Sequence, residues 1–441
     1  MAEEKQGWTA FLLLICICIT LGSVIPIGYS FGVINAPTKF IRLWIFESAQ
    51  SRYTTVLGDT QLTTLMACVV SMFQVGGIVG SLFAPCCNTK LGRGMAAALV
   101  YTTQPMYLVE LAPAELSGSV GVFTCIGITG GVVVGQLCSF DFLLGTRKHW
   151  HCALAGYVIL VVIGLTPLLW FPESPSYMMS KGNTEKSRSI LVRLRKSEQR
   201  ADTELAEIEA ASAVAVEKSS MTAVICNSKL AMPLIIVCSF HLVQQMSGIN
   251  AIWYYSVSIF TDAGFTLNVA SWLNFAEGVL NFFVALFGPW MMASFNRRIM
   301  MMPIFIHFPG FAQCRTGANG SNSKSYQEVS YGCILFLSLY IVAFNFALGP
   351  MPFFIGSELL ESSPRPAAMA LGSLTNWSSN FLLGMVFPLL QEAIGPFSFI
   401  PCSLICVYGF LLTFRYLPET RNRDPKDVAP LLEKGLKSKI K

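Results

Sequence analysis

Charge is scarce in this sequence. Lys, Arg, Asp and Glu make up 12% of its 441 residues, about half the share usual in a soluble domain, while 53% of the residues are hydrophobic. The net charge of +5 is not gathered into a basic patch, which argues against nucleic acid as a partner. Histidine is scarcer still. The four present have no metal-ligand spacing, and no Gly-rich phosphate loop or Ser, His and Asp pattern accompanies them, so no enzyme, metal or cofactor is expected. The fourteen cysteines recur at no disulfide or metal spacing and read as small polarisable packing residues.

What is abundant is uninterrupted apolar sequence. A hydrocarbon core of about 30 Å takes roughly 20 apolar residues to cross as a helix, because lipid offers the backbone no hydrogen-bond partner. Thr9 to Ile34, Leu62 to Cys87, Gly118 to Phe140 and Cys152 to Phe171 meet that length with no charged residue. The first of them exceeds signal-peptide length and reads as a retained helix. Five more follow: Leu230 to Thr261, Leu267 to Phe295, Gly332 to Ser357, Pro366 to Leu390 and Ile394 to Phe414, with Glu277 the one acidic residue inside them.

Basic residues orient these spans. Nine Lys and Arg lie between Pro172 and Lys229, and others stand at Lys90 and Arg93, at Arg297 and Arg298, and in the tail, so the positive-inside rule places these segments and both termini in the cytoplasm. Thr184 to Ala211 alternates charge signs around Leu191, Leu194, Leu205 and Ile208, which suggests short amphipathic helices. Only eleven residues separate Arg93 from Pro105. If the run from Met95 to Val109 crossed, the linker would face outward, so it is expected to be re-entrant, surface-lying or a remnant. Ile299 to Ala312 is also short and holds Pro303 and Pro309, yet a crossing there keeps Arg297 and the tail on one side. The expected fold is an all-α polytopic membrane protein with about ten spans. Residues 1–171 form an N-terminal transmembrane half, 172–229 a cytoplasmic linker, 230–417 a C-terminal half and 418–441 a tail. A count of eleven would separate the termini; twelve is the other alternative.

Short signatures punctuate the spans: GVINAP (Gly32 to Pro37), LGR (Leu91 to Arg93), PMYLVE (Pro105 to Glu110), PESPSY (Pro172 to Tyr177), QQMSGINAIWYYS (Gln244 to Ser256), NRR (Asn296 to Arg298), GPMPFF (Gly349 to Phe354), PRPAA (Pro364 to Ala368), NWSSNF (Asn376 to Phe381) and PETRNR (Pro418 to Arg423). In this order the sequence resembles, over nearly its whole length, the facilitative glucose transporters, in the sugar porter branch of the major facilitator superfamily. The resemblance implies twelve helices in two six-helix halves, with sugar bound between them near the midplane. LGR and PESPSY recur as NRR and PETRNR, which supports two related halves independently. Against the family pattern, one helix is missing between Arg93 and Pro105.

A sugar must exchange water for protein donors and acceptors without a net charge, and amides suit that task. Gln244, Ser247, Asn250 and Tyr254 share about a third of a helix surface, Gly248 offers a place for that helix to loosen, and Asn376 and Asn380 are spaced i, i+4 about Trp377. The resemblance maps sugar binding onto Gln244, Gln245, Asn250, Asn281, Asn376, Trp377 and Asn380, with interhelical hydrogen bonding the competing role for these amides. His241 and Tyr255 read as packing residues. The resemblance also assigns an inner latch to Arg93, Glu110, Glu173, Arg298, Glu358, Arg365 and Glu419, against the plainer role of interfacial anchors.

Departures from the family pattern are Cys125 in place of a glutamine, Phe353 in place of a tryptophan, Met246 in place of leucine, and Ser117 and Ser176 in place of arginines. Proton-coupled relatives place an aspartate where Ser30 stands, and serine cannot cycle a proton at physiological pH. The expected activity is therefore uniport of a hexose, glucose foremost, by alternating access at the plasma membrane. Two alternatives stay open: a non-transporting variant or sugar sensor, and proton symport through Glu277, which otherwise faces an aqueous vestibule. Asn319 to Ser321 forms a glycosylation sequon in the loop placed outside.

Overall fold

The structure, a computed structural model, describes residues 8–99, 103–113, 116–214, 221–262, 264–301, 323–346, 348–360, 364–421, 423, 425–435 and 438. Among these every regular element is a helix. The first span, α1 (Ala10–Val33), is followed by α2 (Thr38–Tyr53) and the long α3 (Asp59–Lys90). Two short helices, α4 (Arg93–Leu99) and α5 (Gln104–Leu111), precede the spans α6 (Ser117–Cys138) and α7 (Trp150–Leu168). The linker forms α8 (Pro175–Ser180), α9 (Thr184–Arg195), α10 (Glu198–Val214) and α11 (Met221–Cys226). The C-terminal spans are α12 (Ala231–Met246) continued by α13 (Ile249–Asp262), α14 (Leu267–Ser294), the start of another helix at α15 (Arg297–Met301), α16 (Ser323–Phe346) continued by α17 (Met351–Leu359), α18 (Arg365–Ile394) and α19 (Ile400–Tyr416). The tail helix α20 (Pro425–Leu432) ends the fold.

Seven of these stretches are long and apolar enough to cross a membrane, and α6 and α18, with 22 and 30 residues, also have the length. The run from Ile299 to Ala312 lies outside the described residues beyond Met301, as does the sequon at Asn319.

Met95 to Val109 does not cross. Arg93 at the start of α4 forms an ion pair with Glu110 near the end of α5, so the chain leaves and returns at the same end of the bundle. Helices of 7 and 8 residues rise only about 10 and 12 Å, far short of the hydrocarbon thickness. This re-entrant hairpin is anchored by apolar contact, with Tyr107, Leu108 and Leu111 in one buried cluster with Leu12, Ile15, Cys16 and Ile19 of α1. Tyr107 also donates to Pro172 O at 2.7 Å.

Small residues bring α1 and α6 together. A Cβ on Gly28 or Gly32 would strike the carbonyls of Ile128 or Val132, and one on Gly131 or Gly135 would strike those of Ile25 or Tyr29. Glycine at four-residue spacing on both helices is what lets the two backbones touch where hydrophobic driving force is absent. The C-terminal spans instead share an extensive core running from Val237 and Phe240 through Tyr340 and Ile355 to Phe387 and Cys406. The linker packs at the end where α1 begins, with the Arg193 guanidinium 4.3 Å from the Phe11 ring centroid. This is the linker end; the other is the far end.

Candidate functional site

The central amides sit where two helices break. Gly248 takes φ +96°, a left-handed conformation that glycine adopts without strain, and separates α12 from α13. Opposite, α16 gives way to α17 around Gly349 and Pro350. Gln244 Nε2 donates to the freed carbonyls of Leu348 at 3.0 Å and Gly349 at 2.6 Å, satisfying backbone that the interrupted helix cannot.

Four expected sugar residues form one hydrogen-bonded ring. Gln244 Oε1 accepts from Asn376 Nδ2 at 2.7 Å, Gln245 Nε2 donates to Asn376 Oδ1 at 2.9 Å and to Gln244 Oε1 at 3.3 Å, and Asn250 Nδ2 donates to Gln245 Oε1. The two adjacent glutamines thus share Asn376. His241, expected to pack, also joins the ring, its Nδ1 3.1 Å from Asn376 Nδ2. All of these residues are buried.

Around the ring the N-terminal helices contribute contacts. The Gln74 carboxamide of α3 lies 2.6 Å from the Tyr254 hydroxyl, which donates to Asn380 Oδ1 at 3.2 Å. Trp377 is buried over Gly77, where any Cβ would meet the indole, and its ring packs edge-on to Phe73 at 5.8 Å. Phe31 completes an aromatic belt between Phe73 and Tyr254. Asn281 stands apart and accepts from Asn345 Nδ2. The Phe353 ring lies 5.6 Å from His241.

Toward the far end a second polar group joins helices far apart in sequence. Asn35 Nδ2 donates to Trp253 O at 3.0 Å and Ser256 Oγ at 2.6 Å, and Gln136 Nε2 donates to Asn274 O and Oδ1 at 3.0 Å. Sequence reasoning missed Asn35, Gln136, Ser256 and Asn274. Asn35 and Ser256 stand within the GVINAP and QQMSGINAIWYYS signatures, whereas Gln136 and Asn274 are marked only as polar residues inside apolar runs.

At the linker end the charged signatures form two clusters. In the first, Arg93 pairs with Glu110, Ser174 Oγ donates to Glu110, and Glu173 Oε1 accepts from the amides of Arg93 and Gly94 at 2.9 Å. In the second, Arg297 pairs with Glu358 at 2.8 Å, Thr420 Oγ1 donates to Glu358, and Glu419 accepts from the amides of Arg297 at 3.0 Å and Arg298 at 3.4 Å. Arg298 itself donates to Phe414 O at 2.7 Å, and Arg365 donates to Leu360 O at 3.0 Å. Glu173 and Glu419 thereby close the open N-termini of α4 and α15.

Comparison with known proteins bears on these observations directly. Residues 15–97 and 93–432 match the family described as sugar (and other) transporter. The chain is 30% identical to human solute carrier family 2, facilitated glucose transporter member 3, across 97% of this chain and 93% of that protein. It is 29% identical to mouse member 7, across 93% and 88%. The fold matches the proton:xylose symporter XylE bound to 6-bromo-6-deoxy-D-glucose, with a TM-score of 0.78 at 19% identity over 96% of this chain and 99% of that one. With the match running from the first span to the tail helix, the chain belongs to the sugar (and other) transporter family, as a multi-pass membrane carrier and not an enzyme, and it shares the fold of that symporter.

Proposed function

We propose that the chain carries a hexose, glucose foremost, down its gradient across the plasma membrane as a uniporter, with both termini cytoplasmic and two half-bundles alternating access to a site between them. The observation that carries this reading is the amide ring of Gln244, Gln245, Asn250 and Asn376 between two helix breaks. Amides that satisfy each other without ligand can exchange those bonds for sugar hydroxyls at little net cost. Gln244 matters most, because a hydroxyl competing for its Nε2 would release the carbonyls of Leu348 and Gly349 and loosen the joint between α16 and α17. Trp377, with Phe73 and Phe31, supplies an apolar wall for a pyranose face. Ser30 donates to Pro26 O at 2.9 Å and leaves the first span without a titratable group there.

The test is uptake of labelled glucose and fructose into vesicles holding only this chain, with and without an imposed pH gradient. Saturable uptake that does not accumulate sugar against its gradient supports uniport. Gln244→Ala should weaken apparent hexose affinity about tenfold at unchanged expression; unchanged affinity for every hexose would sink the proposed ring. A second reading rests on the α4–α5 hairpin, whose helices are too short to cross: a non-transporting variant or sugar sensor, marked by binding without flux.

A further inference from the structure

Glu277 lies on α14 one turn before Asn281 and is buried. Its Oε1 stands 2.7 Å from Ser338 Oγ of α16, while Oε2 is buried with no hydrogen-bond partner. Ser338 Oγ is also 2.9 Å from Ile334 O one turn back on its own helix. A hydroxyl has one proton, and a backbone carbonyl can only accept. If the hydroxyl serves Ile334 O, the contact to Glu277 needs a proton from the carboxyl. If it serves an ionised Glu277, Oε2 keeps a charge with no donor at membrane depth, which is the costly arrangement. The neutral carboxyl, donating through Oε1 to Ser338 Oγ, satisfies the contacts and leaves Oε2 as an ordinary carbonyl.

Among the described residues no cation pairs with the ionised form. Among the described residues three helices make the main contacts with α14. Of these, α6 carries Cys125 and Cys138, α13 carries Tyr254, Tyr255 and the terminal Asp262, and α16 carries Tyr331, Cys333 and Tyr340 with Lys324 and Glu328 near its start. Tyr254 and Tyr340 are engaged by Asn380 and Ser247, and Lys324 precedes Ser338 by about 21 Å of helix rise. Among the described residues Glu277 forms no ion pair.

We propose that Glu277 and Ser338 form a proton-binding site whose occupancy controls the seam between α14 and α16. The seam holds two rungs, Glu277 with Ser338 and Asn281 with Asn345, and α16 ends at the joint that Gln244 caps. The arrangement seen here closes only with the proton on. Each transport cycle that visits it must protonate Glu277, so hexose exchange slows as pH rises on both sides together. This rests on the hexose-carrier reading for its flux but not for the proton itself, and it requires no proton to cross with the sugar.

Two measurements on the full chain in liposomes test it. Glucose exchange at equal pH on both sides should fall at least about fivefold from acid to alkaline pH, and Glu277→Gln, which stays neutral and can still donate to Ser338, should exchange at the acid rate throughout. A wild-type profile that is flat, or one that Glu277→Gln retains, overturns the proposal. Infrared spectra should show at acid pH the carbonyl band of a buried protonated carboxyl that Glu277→Gln lacks and Ser338→Ala shifts. Its absence overturns the proton site whether or not sugar moves, whereas its presence without flux overturns the carrier reading alone.

Discussion

The two charged clusters at the linker end are built alike from unlike surroundings. Arg93, Glu110, Glu173 and Ser174 are matched by Arg297, Glu358, Glu419 and Thr420: a guanidinium on a carboxylate, a hydroxyl on that same carboxylate, and a second carboxylate on the amides that open a helix. In the C-terminal cluster Arg297 and Glu358 are 61 residues apart; in the N-terminal one only the short hairpin lies between the partners. The same cluster closes across two short helices as across a much longer stretch of chain. Its geometry therefore depends on helix ends and not on span length, and it ties down whatever chain runs between those ends.

That comparison makes unequal demands on the two caps. Glu173 accepts from Arg93 N, Gly94 N and Ser174 N at 2.9, 2.9 and 2.8 Å, and the helix it closes has only 7 residues. Glu419 accepts from Arg297 N, Arg298 N and Arg421 N at 3.0, 3.4 and 3.1 Å, beside the large C-terminal core. Glu173→Ala should cost roughly 2–3 kcal/mol of unfolding free energy in detergent and Glu419→Ala roughly 1 kcal/mol, because charge-assisted bonds to backbone amides are the stronger kind and the hairpin has less else to hold it. Equal losses would break the argument that the short helices lean on their cluster.

A smaller effect separates the clusters further. Seven residues after Glu358 comes Arg365, which donates to Leu360 O; seven after Glu110 comes Ser117. The guanidinium near the N-terminal cluster comes from the linker instead. Arg195, almost fully buried, donates to Leu111 O at 2.8 Å and is held by Glu204 at 2.6 and 2.7 Å. Arg195→Met should cost roughly 1.5–2 kcal/mol, since Leu111 O loses its donor and Glu204 its partner. Thermal unfolding with tryptophan fluorescence would read it, and no change would show that the linker merely lies against the hairpin.

Much of this was legible in the sequence and some was not, for physical reasons. Long uncharged runs are dictated by hydrocarbon thickness, so α1, α3, α7, α14 and α19 follow from length and composition. That Met95 to Val109 does not cross followed from charge bias, because a crossing would have inverted nine basic residues, whereas the choice of a re-entrant hairpin over a surface-lying or remnant segment came from the contact of Arg93 with Glu110. Which of Arg297 and Arg298 reaches Glu358 did not, since adjacent residues on a helix point about 100° apart and only the neighbouring spans decide between them. The seal of Asn35 with Trp253 and Ser256 joins residues more than 200 positions apart, and no local periodicity records that pairing. His241 read as packing because a lone histidine on an apolar face usually is; its bond to Asn376 depends on how α12 meets α18.

The smallest expected effect lies in the linker, where both ionic partners are exposed. Arg188 donates to both oxygens of Asp202, at 2.6 and 3.0 Å, and this hydrogen bonding holds the Asp202 carboxyl below the usual carboxylate range. A carboxylate depressed in the folded state contributes stability that is fully present above its ordinary value and is lost as pH falls through the depressed one. The α9–α10 hairpin should thus be tightest at neutral pH and loosen only in strong acid, by a margin that salt screens. Amide hydrogen exchange across Thr184 to Ala211 should show a slight acid-side loss of protection that Asp202→Asn removes, while the buried Arg195 and Glu204 contact keeps its protection in that variant. Loss of protection across both contacts together would mean that the linker opens as one unit, and that its hold on the N-terminal hairpin is set by the weaker, exposed pair.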